Sequence, residues 1–340
     1  MGARLKDVAD RAGVSFKTVS NVINNHPNVT PRTREKVMAA IAELRYRPNM
    51  SARSLRHGRS GFLALALPEL TSPYFAALAS EIGSAAKREG LVVLIEETGG
   101  DHEGEQIVLE GLASHLIDGI IFSPMATPAD EVAARSDTTP MVLLGERGYP
   151  AGYDHIAVDN VRAAREITQH LVECGRTRIA AIGAEHGSGT GALRARGYRA
   201  ALDAAGLKVD PDIIVSGVSY DRAGGAHGMA ELLDGGQPID AVFCFNDVLA
   251  LGAVRTLHQR GYRVPEDVAV AGFDDIEDGR YSSPSLTTVS PDVPFLADEA
   301  VRLLARRVAE PDAAAEDVEV PFTIETREST IGKSDLTPRP

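Results

Sequence analysis

Two groups of side chains in this sequence have types and spacing that could do chemistry. Phe16, Lys17, Thr18, Ser20 and Asn21 fall close together in FKTVSN, at the start of a short stretch with helical periodicity. A lysine can donate to guanine O6 and N7, an asparagine can bond adenine N6 and N7, and a phenyl ring can touch a thymine methyl. Phe16, Lys17 and Asn21 are therefore the candidates for reading base edges, with Thr18 and Ser20 beside them. The second group is dispersed. Tyr74, Phe75, Arg194, Tyr220, Asn246, Asp247 and Asp274 each come soon after a short apolar run. Arg, Asn and Asp together suit the hydroxyls of a small polar ligand, and aromatic faces suit its ring.

The first group needs a scaffold that presents one helix to DNA. Leu5, Val8, Ala9 and Ala12 recur at helical spacing, which predicts a short amphipathic helix. Gly13 supplies a turn and Ser15 a suitable N-cap. A second helix should then run from about Phe16 to Asn24 with Val19 and Ile23 inward. Two short helices joined through a glycine turn make a helix-turn-helix. Thr30 and Pro31 open a third helix striped by Val37, Ile41 and Leu44. It should end near Tyr46, because Pro48 disfavours helical geometry at Arg47. The three would close an all-α head over residues 1–48.

Charge supports this division. The 340-residue chain has a net charge of −13, yet residues 1–60 hold 12 Lys/Arg against 4 Asp/Glu, and the remainder 23 against 44. A basic head on an acidic body fits a nucleic-acid-binding module attached to something that should stay off DNA. The two cysteines, Cys174 and Cys244, lie far apart in apolar surroundings and read as buried thiols of a cytoplasmic protein. No apolar run has the length of a signal peptide or a bilayer span, so secretion and membrane insertion are both disfavoured.

Beyond Gly58-Arg59-Ser60-Gly61, short apolar runs alternate with helical stretches. The runs are 62–67, 91–96, 119–123, 141–144, 155–159, 178–183, 212–217, 241–245 and 268–273. Continuous apolar strands separated by helices indicate parallel sheets covered on both faces. These are too many for one compact sheet and divide near Asn160, which predicts two doubly wound lobes. Ligands bind such folds in the cleft at the carboxyl ends of the strands, where the second group of side chains falls. A plainer reading stays beside it: Asn246 and Asp247 could cap the helix DVLALGAVRTL, and Asp274-Asp275 could be turn residues.

LKDVADRAGVS, its continuation TVSNVIN and the downstream RPNMSARSL resemble, nearly residue for residue, the opening of the LacI/GalR (lactose-repressor/galactose-repressor) transcription factors. A looser similarity extends along the whole chain. The resemblance implies a ligand-responsive transcriptional regulator, a repressor, that binds a pseudo-palindromic operator as a homodimer. It implies a hinge over 49–60 that orders on DNA, with Ala52 and Arg53 against the duplex and Leu55 wedged into the minor groove. An apolar wedge between base steps kinks the duplex; a plain linker is the alternative. For residues 61–340 it implies a periplasmic-binding-protein-like α/β core of two doubly wound parallel-sheet lobes. Lobe 1 would comprise about 61–160 and 292–320, and lobe 2 about 161–290 and 323–340, with crossovers near 160, 290 and 322. The dispersed side chains would line the effector pocket; Arg194, three residues before a Gly-Tyr pair, matches the arginine that grips the effector. One departure concerns the strand 141–144. Several family members carry an aspartate directly after it, where this chain has Gly145-Glu146-Arg147, so Glu146 or Arg147 would take that role. The pocket suggests a sugar or sugar derivative, with a purine as the alternative, and no cofactor.

Other patterns are weak. GSGTG (187–191) lacks the ending of a phosphate loop, the nine histidines show no metal-ligand spacing, and no serine sits in a nucleophile elbow. An α/β enzyme fused to a DNA-binding domain would need such a constellation. A stand-alone periplasmic ligand-binding protein without DNA function would account for 62–330 but not for a basic helical head. Replacing Leu55 by Ala should cost about 1–3 kcal/mol of operator binding, about 5- to 150-fold in affinity, while the core stays folded. Electrophoretic retardation checks this, and an unchanged affinity would remove the wedge.

Overall fold

The structure, a computed structural model, describes residues 4–23, 29–44, 46, 60–111, 116–145, 152–184 and 189–332. Contacts divide the chain into two compact units, Met1–Ser60 and Gly61–Pro340.

In the first unit, helices α1 (Leu5–Ala12), α2 (Phe16–Ile23) and α3 (Pro31–Glu43) enclose a small core of Val8, Ala9, Val19, Val22, Val37 and Ala40. Gly13 ends α1 at φ +64°, a left-handed conformation that a side chain would strain. Ser15 Oγ accepts from Thr18 N at 3.1 Å and Thr30 Oγ1 from Thr33 N at 3.3 Å, so both expected N-caps form. The inward pair on α2 is Val19 and Val22, three residues apart on the face toward α3; Ile23 is only partly buried. Arg34 reaches back to the Val22 carbonyl at 3.3 Å, and an Arg11–Glu43 ion pair at 2.7 Å joins α1 to α3. The expected hinge residues Ala52, Arg53 and Leu55 lie outside the described residues.

The second unit is built on two six-stranded sheets. Chain order gives β1 (Phe62–Leu67), α4 (Pro73–Arg88), β2 (Val92–Glu97), α5 (His102–Leu109), β3 (Gly119–Phe122), α6 (Ala129–Ala134), β4 (Met141–Leu144) and β5 (Asp154–Val158). The chain then crosses to α7 (Asn160–Glu173), β6 (Ile179–Ala184), α8 (Thr190–Ala204), β7 (Ile214–Ser216), α9 (Arg222–Asp234), β8 (Ala241–Cys244), α10 (Asp247–Gln259), β9 (Ala269–Phe273), α11 (Glu277–Tyr281) and β10 (Thr287–Pro291). It returns through α12 (Val293–Ala309) and β11 (Asp317–Val320), and crosses a last time to β12 (Phe322–Glu325) and α13 (Glu328–Ile331). The sheet orders are β11-β5-β4-β3-β1-β2 and β12-β10-β9-β8-β6-β7, the doubly wound pattern on each side. All neighbours are parallel except β10 and β12, where the last crossing brings the chain back antiparallel at the edge. The return of α12 is fixed by Asp154, fully buried in lobe 1, which accepts from Arg306 at 2.8 Å and Arg307 at 2.9 Å.

Two expectations need correction. The apolar run at 91–96 is not covered on both faces: Val92, Leu94 and Ile95 are 49%, 42% and 48% exposed, because β2 is an edge strand paired only with β1. Cys174 is half-buried at the end of α7, whereas Cys244 in β8 is fully buried; both are free. Among the described residues, no helix is long and apolar enough to cross a membrane.

Helices α9 and α10 pack closely because glycines face each other. A Cβ on Gly225 would stand 2.1 Å from the Leu249 carbonyl, and one on Gly252 2.1 Å from that of Arg222. These are backbone atoms that cannot swing aside, so Gly252→Ala should destabilise the core by about 3 kcal/mol. Thermal denaturation checks this. An unchanged melting temperature would mean the two helices do not meet this closely.

Candidate DNA-reading helix and effector cleft

On α2 the side chains of Phe16 and Lys17 are exposed, Phe16 by 54%, and those of Thr18, Ser20 and Asn21 are half-buried. The first turn is therefore the face the head offers. Thr18 is partly committed: its hydroxyl shares a 2.8 Å hydrogen bond with Ser15 Oγ while its amide uses the same oxygen as cap. An exposed phenyl ring beside a lysine on a small basic domain has a direct use against base edges and phosphates.

Between the lobes of the core lies a cavity of about 250 Å³. Lobe 1 lines it mainly with apolar surface: Tyr74, Phe75, Leu78, Met125 and Leu144. Lobe 2 contributes Thr190, Arg194, Tyr220, Asn246 and Asp274. Tyr74 and Phe75, on the first turn of α4, meet edge to face at 5.4 Å between ring centres. A broader groove of about 840 Å³ adjoins the cavity and shares Tyr74 and Asp274 with it. That groove is open and Arg194 does not line it, so the concentrated chemistry belongs to the smaller space.

Arg194 is held on several sides. It sits one turn into α8, which places its side chain against the ends of β8 and β9. Nε donates to Asn160 Oδ1 at 2.7 Å, and a terminal nitrogen donates to the Phe245 carbonyl. The guanidinium lies 3.4 Å from the centre of the Phe273 ring, a cation–π contact, and 3.8 Å from Asp274 Oδ1. Phe273 and Asp274 are neighbours at the end of β9, so one strand end supplies both the face and the counter-charge.

Asp274 and Asp275 adopt φ +114° and +54°, values that non-glycine residues rarely take. Such strain persists where the surroundings over-determine it. Here Asp275 is the anchor: Arg280 and Arg327 each reach it at 2.6 Å and Ser290 at 2.9 Å. Burial pushes the Asp275 carboxyl up, but these hydrogen bonds outweigh it and hold it below its ordinary range. The strained turn is thereby fixed with Asp274 aimed at the cavity.

Six of the sequence candidates therefore converge: Tyr74, Phe75, Arg194, Tyr220, Asn246 and Asp274. Asn246 is the cap of α10, its Oδ1 accepting from Leu249 N at 2.9 Å, and the residue also lines the cavity. Asp247 does not belong with them. It is fully buried behind the cavity wall, accepting from Thr288 Oγ1 at 2.6 Å and Ile276 N at 2.9 Å. Capping sends the Asn246 side chain toward the cleft and its successor into the lobe. Glu146 and Arg147 lie outside the described residues. The sequence reading missed Ser123 and Phe273, although both sit at strand ends where such residues should be sought. It also missed Glu105, a fully buried carboxylate that accepts from the amides of Met125, Ala126 and Thr127 and so holds a loop of the cavity wall. Its partners are backbone groups some twenty residues away, which leave no mark in sequence. Among the described residues, no group of His, Cys, Asp and Glu could hold a metal ion.

A basic helix-turn-helix head joined to a two-lobed core with a small-molecule cleft defines a class, the ligand-responsive regulators of transcription. Comparison with known proteins agrees. Residues 4–49 match the bacterial regulatory proteins of the lacI family, and residues 168–330 match the periplasmic binding protein-like domain. The chain is 33% identical to the HTH-type transcriptional regulator DegA of Bacillus subtilis (strain 168), over 97% of this chain and 98% of the relative. A CelR–cellobiose complex is similar with a TM-score of 0.73 at 33% identity, covering 96% of this chain and 99% of that one. The lac repressor dimer bound to operator and the anti-inducer ONPF is similar with a TM-score of 0.83 at 27% identity, covering 98% and 100%. The chain belongs to the LacI family of bacterial regulatory proteins; it is a DNA-binding transcriptional regulator and not an enzyme.

Asp247 yields a pH prediction. Burial raises its carboxyl pKa well above the ordinary value, and the nearby Asp274 charge raises it further, against the lowering effect of Thr288 and Ile276. A carboxyl raised in the folded state contributes stability that is fully present below its unfolded pKa and is lost as pH rises through its folded pKa. Asp247→Asn, which mimics the protonated acid, should remove that alkaline loss. Melting temperatures between about pH 4 and 9 should show the variant gaining on the parent as pH rises. A constant difference across that range would contradict the assignment.

Proposed function

We propose that this chain is a cytoplasmic repressor that binds a pseudo-palindromic operator as a homodimer, with an affinity set by a sugar or sugar derivative. That effector is its sole small-molecule requirement. The observation that carries the ligand reading is Arg194, stacked on Phe273 beside Asp274, in a cavity with aromatic rings on the opposite wall. Fixed donors and acceptors facing an apolar wall suit a pyranose or furanose, whose hydroxyl edges and C–H faces differ in the same way. The cavity of about 250 Å³ lies near the lower end of ligand-pocket sizes, which fits a sugar of one or two rings. A relative of known structure holds cellobiose, which supports the sugar class.

Dimerisation is supported by the operator-bound lac repressor dimer and by the exposed apolar edge of lobe 1, where Val92, Leu94, Ile95 and Ile107 await cover. Two heads would read half-sites related by the dimer axis, with Phe16, Lys17 and Asn21 at the base edges. Ala52, Arg53 and Leu55 would engage the duplex between them. Glu146 and Arg147 would complete the pocket rim. A ligand that binds one arrangement of the lobes better than another shifts the spacing of the two hinges.

The test is a thermal-shift screen of sugars and purines against the full-length chain, with duplex affinity then measured with and without each hit. A sugar should change duplex affinity by about 5–150-fold, the usual range of such coupling. Arg194→Ala should abolish that response and leave DNA affinity in the absence of sugar unchanged. A variant that still responds at parental sugar concentrations would misplace the pocket.

A further inference from the structure

We infer that Asn160 is a positioning residue that ties Arg194 to the point where the chain crosses from one lobe to the other, so that the arginine and the crossing move together. The inference rests on the reading of the cavity as the effector site and adds the route by which its occupancy reaches the lobes.

Asn160 is the first residue of α7, directly after the Asp159 cap, and only Asp159 separates it from Val158, the last residue of β5. Its side chain is 2% exposed, and both ends of its amide are used. Oδ1 accepts from Arg194 Nε at 2.7 Å, and Nδ2 donates to the Val158 carbonyl at 3.2 Å. Val158 itself lines the cavity. One amide thus bridges a lobe 1 strand end, the start of a lobe 2 helix and the arginine of lobe 2 that faces the ligand.

The amide at this position meets two opposite needs. Arg194 needs an acceptor for Nε, since a buried guanidinium N–H without one carries the full desolvation penalty. The Val158 carbonyl, at the last residue of β5, accepts the amide's N–H. The Asn160 amide places an acceptor and a donor about 2.3 Å apart on one short, planar group, so it serves both at once. The other contacts described for Arg194, to Phe245, Phe273 and Asp274, lie inside lobe 2, so Asn160 is its direct hydrogen bond to the crossing segment. Ligand contact that shifts the guanidinium must therefore either pull the crossing with it or break this bond.

Two variants of the full-length protein separate the two halves of the bridge. Asn160→Ala removes both bonds; Asn160→Asp keeps the acceptor for Arg194 but loses the donor to Val158. Hydrogen–deuterium exchange of the ligand-free protein is read over 156–163 and over 190–198, with strand β8 as internal reference. Asn160→Ala should speed exchange in both segments about tenfold, the effect of losing a charge-assisted buried bond, and leave β8 unchanged. Asn160→Asp should speed only 156–163. Exchange over 190–198 that ignores the Ala variant, or variants that behave alike, would overturn the inference. Cellobiose is the probe for coupling. If it stabilises the parent, the Ala variant should keep less than a tenth of its effect on duplex affinity, and an undiminished effect would also overturn the inference. If cellobiose leaves the parent unshifted, the choice of sugar is at fault, and the exchange data still decide the role of Asn160.

Discussion

A guanidinium buried between two lobes is the constraint on which this core depends. Arg194 cannot lose its charge in a protein, so everything around it must compensate. The Phe273 face, the Asp274 carboxylate, the Phe245 carbonyl and the Asn160 amide do so from three separate elements. Asp275, held by two arginines of its own, fixes the two successive positive-φ residues that bring Asp274 beside this guanidinium. A cavity lined by such an arrangement comes with its polar groups already oriented, which lowers the cost of fixing them when a ligand enters.

The two units divide the physical work by charge. The head carries excess positive charge on a small core of six buried side chains, with helix caps and the Arg11–Glu43 and Arg34–Val22 contacts joining its helices. The body carries a larger excess of negative charge and is repelled by phosphate, so DNA affinity is confined to one end of the chain. Sequence preference then has to come from few side chains, and the exposed pair Phe16 and Lys17 is the most available for it.

Much of this was legible in the sequence where one local rule decides. Gly13, Ser15, Thr30 and Pro31 each act within their own turn, and each does what its type dictates. The apolar runs became strands because burial on both faces demands continuous hydrophobicity. Legibility failed where the deciding partner is distant. LVVLIE has the composition of a covered strand but lies at an edge, which only the topology reveals. Asn246 and Asp247 are adjacent and similar, yet capping turns one toward the cleft and the other into the lobe. Glu105 and Asn160 act on backbone and on Arg194 across long sequence separations, so no spacing rule finds them. β10, β11 and β12 are short and mixed in polarity, and similarity to a family indicated the crossings near them when hydropathy did not.

The central claim is that metabolite binding in the cleft and duplex binding by the head are two readings of one equilibrium. Thermodynamic linkage then requires each ligand to change the affinity of the other by the same factor. The most direct measurement is the affinity of the full-length protein for its sugar, by calorimetry, with and without a saturating palindromic duplex selected from random sequence. The account predicts a change equal to the factor by which that sugar alters duplex affinity. A sugar affinity identical in the presence and absence of the duplex would contradict it.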